Sequence, residues 1–258
     1  MSKIKNFSIF FDNDEEFDNI LGNTSYYIAM QNNISKLISK YNPLYLIDFG
    51  CGNGNTSLRI AKENPKTSIV AIDMREQIIN FCGHKKEYIK VKNLTFVHGD
   101  LAKLENYNIA NADIILFVYS FVYIPDPIEN KKMYLQNLYS KMKNGAKVII
   151  GEWFLNDTNT YNEANIKALY NTRLTEGANS IFWNTLICHS DNAINEAGEN
   201  LDIYKKYHKT LIKKIIERKF IYPVSKKWLI ETAKEIGFNV VMEHYINNVN
   251  DAVIVLKK

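Results

Sequence analysis

The feature that most constrains the fold is a series of five short apolar runs that alternate with amphipathic segments. The runs lie at residues 44–48, 67–73, 94–100, 112–119 and 146–153. They are apolar on both faces, as strands buried on both sides are. The segments between them, such as "NTSLRIAKEN" and "KKMYLQNLYSKMKNG", carry apolar residues at helical spacing. This alternation predicts a mostly parallel sheet covered by helices on both faces.

The alternation stops after the fifth run and resumes near the C-terminus. Residues 156–222 contain no clear buried strand but show two helical segments, "YNEANIKALYNTRL" and a second near residues 199–219. A helix then precedes "NVVMEHY" and "AVIVLKK", and the turn between these two strands is too short for a parallel crossover. We therefore predict a seven-stranded α/β sheet with an antiparallel C-terminal hairpin. The predicted parts are an N-terminal helical segment (1–42), a core (43–155 and 223–258) and a helical insertion (156–222).

Composition narrows the class of protein. Hydrophobic residues make up 46% of the chain and charged residues 23%, which is ordinary for a globular protein. The net charge of +4 comes from scattered lysines, whereas a nucleic-acid interface clusters its basic residues. The spacing of Cys51, Cys82 and Cys188 matches no zinc or redox motif. The N-terminus meets acidic residues too early for a signal peptide, and the longest apolar run is too short to span a bilayer. These features predict a cytoplasmic protein with no membrane contact, and they argue against a nucleic-acid partner.

A glycine-rich loop follows the first strand in "LIDFGCGNGNTS" (residues 46–57). Glycine is unfavourable in ordered structure, so Gly50, Gly52 and Gly54 mark a sharp turn or the close approach of another group to the backbone. A strand, a glycine turn and a helix together form a corner that binds anions or nucleotides. The third glycine comes one position too early for the dinucleotide motif G-x-G-x-x-G, and no P-loop Gly-Lys-Ser/Thr is present.

Three aspartates stand at the ends of the first three strands. Asp48 precedes the glycine loop, Asp73 closes the second strand and Asp100 closes the third. Because carboxyl ends of parallel strands share one edge of the sheet, these side chains are expected near the loop. A carboxylate at the end of the second strand can accept hydrogen bonds from both hydroxyls of a ribose.

In this arrangement the chain resembles the class I S-adenosylmethionine-dependent methyltransferases, which have a Rossmann-like sheet. "LIDFGCGNG" is similar to their first motif, "VAIDM" to their ribose-binding acidic turn, and "FVHGDL" to the strand end that contacts adenine. "ADIILFVYSFVYIPDP" resembles their fourth-strand motif. The resemblance implies S-adenosyl-L-methionine as the cofactor. It assigns cofactor contacts to the glycines and aspartates above, to Met74 and Leu101, and to Phe117, through whose main chain the family holds the methionine amine.

The chain also departs from the family in informative ways. Many members that act on small molecules carry a histidine pair where this chain has Val122 and Tyr123. The (Asn/Asp)-Pro-Pro-(Tyr/Phe) motif of nucleic-acid amino-methyltransferases is absent after the fourth strand. The carboxylate cluster of the metal-dependent catechol-type enzymes is not evident either, so no metal is predicted.

A general base is needed only if the acceptor arrives protonated, because the methyl sulfonium is already activated. The candidates are Tyr123, Glu152 at the end of the fifth strand, and His189 in the insertion. Each could instead serve in packing or in a salt bridge. His208 lies on the apolar side of its helical segment and is expected in the core.

The N-terminal segment and the insertion are the expected covers of the site. Tyr26 and Tyr27 could lie over the sulfonium cation, which an aromatic face attracts, or could pack in the core. The insertion is expected over the carboxyl edge as a lid, and Arg173, Trp183 and Tyr119 are candidate acceptor contacts.

These features predict direct in-line transfer of a methyl group to the N or O of a small metabolite. Two alternatives stay open. The acceptor could be RNA or a protein, which would need an open basic cleft. The chain could also be a catalytically silent partner subunit that only binds the cofactor.

Overall fold

The computed structural model describes residues 20, 22, 24–124, 128–155, 163–187, 193–217, 221–246 and 250–258. The helices in these ranges are α1 (Ser25–Tyr41), α2 (Asn55–Glu63), α3 (Glu76–Ile89), α4 (Ile128–Lys141), α5 (Glu163–Ile187), α6 (Ala193–Ile216) and α7 (Lys226–Ile236). The strands are β1 (Tyr45–Phe49), β2 (Ser68–Asp73), β3 (Leu94–His98), β4 (Ile114–Val118), β5 (Lys147–Trp153), β6 (Asn239–Tyr245) and β7 (Asp251–Lys257).

All of these strands form one sheet in the order β3-β2-β1-β4-β5-β7-β6. Strands β1 to β5 pair in parallel, and β7 runs antiparallel to both β5 and β6. The predicted seven-stranded, mostly parallel sheet with an antiparallel C-terminal hairpin is thus confirmed. The strand order reverses between β1 and β4, and open sheets of this kind bind ligands outside the carboxyl ends of the strands at that point.

Each face of the sheet carries its own hydrophobic core. On one face, Met30 and Ile34 of α1 and Leu58 of α2 pack on the strands. On the other, Leu135 of α4 and Leu229 of α7 do so. The central strands are buried on both sides, which is why their sequences are apolar without alternation.

The chain segments that flank the insertion meet at Leu155 and Val224. Leu155 N donates to Val224 O at 3.0 Å, so the chain leaves the core and returns to it side by side. Helices α5 and α6 pack on each other, and α5 also contacts α1. Tyr207 and Ile212 of α6 pack with Val122 and Trp153, which lie at the carboxyl ends of β4 and β5. The described part of the insertion therefore sits at the carboxyl edge of the sheet.

Within the residues that the structure describes, no helix combines the length and the apolar character needed to cross a membrane.

Candidate functional site

The glycine loop is fastened to the neighbouring strand. The backbone amides of Gly50 and Cys51 both donate to Ile72 O of β2, at 2.8 and 2.9 Å. Gly50, Gly52 and Gly54 have φ angles of +73°, +53° and +77°. These values lie in the left-handed region, which other residues enter only with strain. The loop conformation itself therefore requires glycine.

The three glycines differ in what surrounds them. A Cβ atom at Gly50 would lie 2.5 Å from Ser120 Cβ, and one at Gly54 would lie 2.8 Å from the Phe96 ring. A Cβ atom at Gly52 would meet nothing within 4 Å. Gly50 and Gly54 thus permit close packing inside the protein, whereas Gly52 faces open space in which a ligand can approach the backbone.

Asp48 lies beneath this loop with 1% of its surface exposed. One carboxylate oxygen accepts a hydrogen bond from the Ser57 hydroxyl, and the other, Oδ1, has no partner among the described residues. Burial raises the pKa of Asp48 to about 7; the Ser57 hydrogen bond opposes this shift, and the negative charge of Asp73 adds to it. A ligand that brings a cationic or N–H donor to Oδ1 would satisfy the unpaired oxygen.

Asp73 ends β2 and Asp100 follows β3, so both lie at the carboxyl edge of the sheet. Gly52 N donates to Asp73 Oδ2 and Arg75 N to Asp73 Oδ1, both at 3.0 Å, so this side chain also fixes the loop. Asp100 Oδ1 accepts a hydrogen bond from Ala102 N at 2.9 Å. Both side chains are only half-buried, and a carboxylate oxygen can accept a further hydrogen bond.

The other expected cofactor neighbours have different exposure. Met74 exposes 39% of its surface, and Leu101 is half-buried. Phe117 is fully buried and stacks on Phe49 with ring centroids 5.6 Å apart. Its side chain belongs to the core, in line with the expectation that only its main chain contacts the ligand.

The paired tyrosines of α1 take separate positions. Tyr26 is buried, with its hydroxyl 3.3 Å from that of Tyr204 and its ring 4.3 Å from the guanidinium of Arg173. Tyr27 stacks on Tyr119 just beyond β4, with centroids 5.8 Å apart. Tyr26 thus packs in a buried cluster, whereas Tyr27 lies near the carboxyl edge of the sheet.

Two of the predicted acceptor contacts meet at a residue that sequence analysis did not single out. Arg173 of α5 forms a buried ion pair with Asp251 at the start of β7, and the Tyr119 hydroxyl donates to Asp251 at 2.7 Å. The Tyr204 hydroxyl donates to Arg173 O at 2.9 Å. This network links the insertion to the sheet. The Arg173 guanidinium is paired with a carboxylate of the protein itself.

Trp183 lies in α5, and its side chain is outside the described part of the chain. His189 also lies outside the described residues. His208 is buried, with its ring 4.4 Å from that of Tyr204, and burial lowers its pKa to about 3. It is therefore neutral, as expected of a core histidine.

Tyr123 and Glu152 are the candidate bases that the structure describes. Desolvation by the surrounding protein raises the pKa of Tyr123 to about 12, and the charge of Glu152 adds to the shift. Tyr123 therefore keeps its proton at neutral pH, although 37% of its surface is exposed. Glu152 is 1% exposed; Oε1 accepts from Trp153 N at 3.0 Å, and Oε2 has no partner among the described residues. Burial raises its pKa to about 8, with a further contribution from Asp251.

These residues suit the predicted donor. The open space beside Gly52 and the unpaired oxygen of Asp48 match a ligand with a cationic end, and Asp73 and Asp100 add acceptors along the same edge. Among the described residues, no group of three or more His, Cys, Asp or Glu side chains could hold a metal ion. The expected absence of a metal stays a prediction.

A sequence model of a methyltransferase domain matches residues 43–217. A tRNA (guanine-N(7)-)-methyltransferase of Clostridioides difficile (strain 630) is 26% identical over 97 residues. That match covers 35% of this chain and 44% of the relative, so it spans less than half of the relative's length.

Solved methyltransferase structures share the fold. An S-adenosylmethionine-dependent methyltransferase from Aquifex aeolicus aligns with a TM-score of 0.55 at 13% identity, over 93% of this chain and 97% of that chain. Human N-acetylserotonin methyltransferase, in complex with S-adenosylmethionine, aligns with a TM-score of 0.58 at 11% identity, over 100% of this chain and 60% of that one.

Proposed function

The chain belongs to the methyltransferase-domain family of class I S-adenosylmethionine-dependent enzymes, and from this membership we propose that it methylates a small-molecule acceptor. S-adenosylmethionine supplies an activated methyl group, so the protein's task is to hold the acceptor in line with it. Gly52 would let the donor approach the backbone. Asp73 would accept hydrogen bonds from the ribose hydroxyls, Asp100 would contact the adenine, and Asp48 would face the methionine end of the donor.

The position of the insertion carries the proposal of a small acceptor. Helices α5 and α6 pack at the carboxyl ends of β4 and β5, and the buried pair of Arg173 and Asp251 fastens them there. In this reading residues 156–222 are a lid, and a covered site favours a compact acceptor over a polymer. Human N-acetylserotonin methyltransferase, named for a small acceptor, shares the fold.

The tRNA methyltransferase match favours RNA as a second candidate acceptor. Its support is limited to a 97-residue stretch. The scattered lysines and the covered edge weigh against RNA.

One labelling experiment separates these functions. The protein is incubated with methyl-labelled donor and either a metabolite fraction or total tRNA, and label transfer is measured. We expect label only in the metabolite fraction. Label in tRNA would instead establish the second candidate, and donor binding without transfer to either would indicate a silent subunit.

Asp73→Ala tests whether label transfer depends on the proposed donor site. It should weaken donor binding by about 1.5–3 kcal/mol, the range for hydrogen bonds to a charged group, and should reduce labelling of the true acceptor accordingly. Titration calorimetry that showed unchanged affinity would remove Asp73 from the donor site.

A further inference from the structure

Among the residues that the structure describes, two deeply buried carboxylates each have an oxygen without a hydrogen-bond partner, and one of the two lies beneath the glycine loop. Asp48 lies on β1, beneath the loop expected to hold the donor. Glu152 lies on β5, two strands away in the sheet order, next to the edge where the insertion packs. Nearly all buried carboxylate oxygens in folded proteins have hydrogen-bond partners, so each orphan needs an explanation. The donor accounts for Asp48 but leaves Glu152 without a role.

Burial raises the pKa of Glu152 to about 8, although the backbone of Val122 and the positive charge of Arg173 partly stabilise its ionised form. Asp251, whose negative charge adds to the raised pKa of Glu152, is itself paired with Arg173. Among the described residues Glu152 has no ion-pair partner, and Oε1 is occupied by the Trp153 amide. A buried charge is strongly unfavourable unless it is paired. The occupant that best completes this site brings both a positive charge and an N–H donor to Oε2.

Aromatic side chains lie at the same edge of the sheet as Glu152. Trp153 follows it in the chain, and Tyr123 is close enough to be affected by its charge. Tyr207 of α6 packs in the same cluster as Trp153 and Val122. Aromatic faces attract ammonium groups, whereas they offer little to a neutral hydroxyl. Because Tyr123 keeps its proton up to about pH 12, it can form a wall of the site without competing as a base.

We propose that the methyl acceptor is an amine, which Glu152 binds as the ammonium ion and deprotonates for transfer. This inference rests on the proposed function and specifies its substrate class. An ammonium group has no lone pair, so it must lose a proton before it can attack. Glu152 Oε2 takes that proton, which converts the ion pair into a neutral amine and a carboxylic acid.

The remaining step balances in charge. The nitrogen lone pair forms the new N–C bond to the methyl carbon, and the C–S bond breaks with its electrons left on sulfur. The positive charge lost by the sulfonium then resides on the methylated amine. The proton on Glu152 passes to solvent when the products leave. A carboxyl group whose pKa already lies well above the ordinary range is suited to hold that proton.

The test compares binding of amines and of their hydroxyl isosteres. Ethylamine, benzylamine and 2-phenylethylamine are titrated against ethanol, benzyl alcohol and 2-phenylethanol by calorimetry, with S-adenosylhomocysteine present. The variant is Glu152→Gln, which keeps an oxygen to accept from Trp153 N but removes the charge. Glu235→Gln, an exposed change in α7, is the matched control.

We expect at least one amine to bind the wild-type protein and the control equally, and to bind Glu152→Gln at least tenfold more weakly. The alcohols should bind no better than their amines and should not respond to the substitution. Failure of all three amines to bind, or amine binding that Glu152→Gln leaves unchanged, would overturn the proposal.

Two further measurements separate this inference from its alternatives. Donor affinity should be the same in Glu152→Gln and in the wild type, and a tenfold loss would assign Glu152 to the donor and overturn the amine site. Turnover that uses only phenols or alcohols would keep the proposed function and refute the amine. Amine binding that depends on Glu152, without methylation of any small acceptor, would keep the amine site and refute the proposed function.

Discussion

The differing surroundings of the glycines in the loop lead to a sharp prediction about alanine substitutions. Gly52→Ala adds a methyl group that meets no atom within 4 Å, so its effect on folding is limited to backbone strain at φ +53°. A non-glycine residue in the left-handed region costs about 1–2 kcal/mol. The more restricted unfolded chain of alanine offsets about 0.4–1 kcal/mol of that. The net loss of stability for Gly52→Ala should be about 1 kcal/mol.

Gly50→Ala meets the same strain and a steric clash. Its Cβ atom would lie 2.5 Å from that of Ser120, whose hydroxyl is held by a 2.6 Å hydrogen bond to Phe49 O. Overpacking of a filled site adds about 1–3 kcal/mol to the net strain of about 1 kcal/mol, for a total of about 2–4 kcal/mol. At about 2–4 °C per kcal/mol for a domain of this size, the Tm of Gly50→Ala should fall clearly further than that of Gly52→Ala.

Gly145 provides the matched control. Its φ angle is +82°, and a Cβ atom there also meets nothing within 4 Å. It lies next to the start of β5, at the opposite edge of the sheet from the candidate site. Thermal unfolding should therefore show similar losses for Gly145→Ala and Gly52→Ala, and calorimetry should show at least tenfold weaker donor binding for Gly52→Ala alone. Equal donor affinity in these two variants would refute the argument that the donor approaches the backbone at Gly52.

Three further predictions concern the buried polar groups. Burial raises the pKa of Asp48 to about 7, so this carboxyl group binds its proton more tightly in the folded protein than in the unfolded chain. The free energy of unfolding without donor should therefore fall as pH rises from about 4 to 7, by up to roughly 4 kcal/mol. Asp48→Asn should reduce the difference in Tm between pH 5 and pH 8, and an unchanged difference would contradict the raised pKa. Arg173→Met leaves the carboxylate of Asp251 buried without its cation and should cost about 3–5 kcal/mol, much of which the double variant with Asp251→Asn should restore; a double variant no more stable than the single one would argue against the ion pair. Tyr26→Leu should lower the Tm and weaken the binding of donor and product alike. Tyr27→Leu should weaken the binding of the cationic donor by about 0.5–2 kcal/mol more than that of the product, S-adenosylhomocysteine. If Tyr27→Leu changes both dissociation constants equally, this ring also belongs to the core.

The sheet could be predicted because its physical requirements are local. A strand buried on both faces must be apolar throughout, and a tight loop must use glycine, so both are visible in short windows of sequence. The same holds for the end of α7, where Gly237 adopts a φ angle of +114° directly after the helix. The strand order cannot be predicted from such windows, because the same alternation of strands and helices is compatible with several orders.

The ion pair of Arg173 and Asp251 could not be predicted in this way. The two residues are 78 positions apart, and neither stands in a recognisable motif. The sequence shows Arg173 only as a charged residue of the predicted lid, and this position favours the interpretation that it contacts the acceptor. Its burial against a carboxylate depends on how α5 docks on the sheet, and only the tertiary structure contains that information.

The length of α5 shows how tertiary packing can override a local signal. The sequence predicts a helix over residues 161–174, and the structure continues it to Ile187, past Gly177. Glycine inside a helix costs about 0.5–1 kcal/mol relative to alanine and therefore indicates a break. Here a Cβ atom at Gly177 would lie only 1.8 Å from the Tyr204 hydroxyl, so glycine is what allows α6 to approach. That same hydroxyl donates to Arg173 O, one turn earlier in α5, and Arg173 in turn pairs with Asp251. The residue that looks like a helix breaker thus permits the contact that links both insertion helices to the sheet, beside the proposed acceptor site.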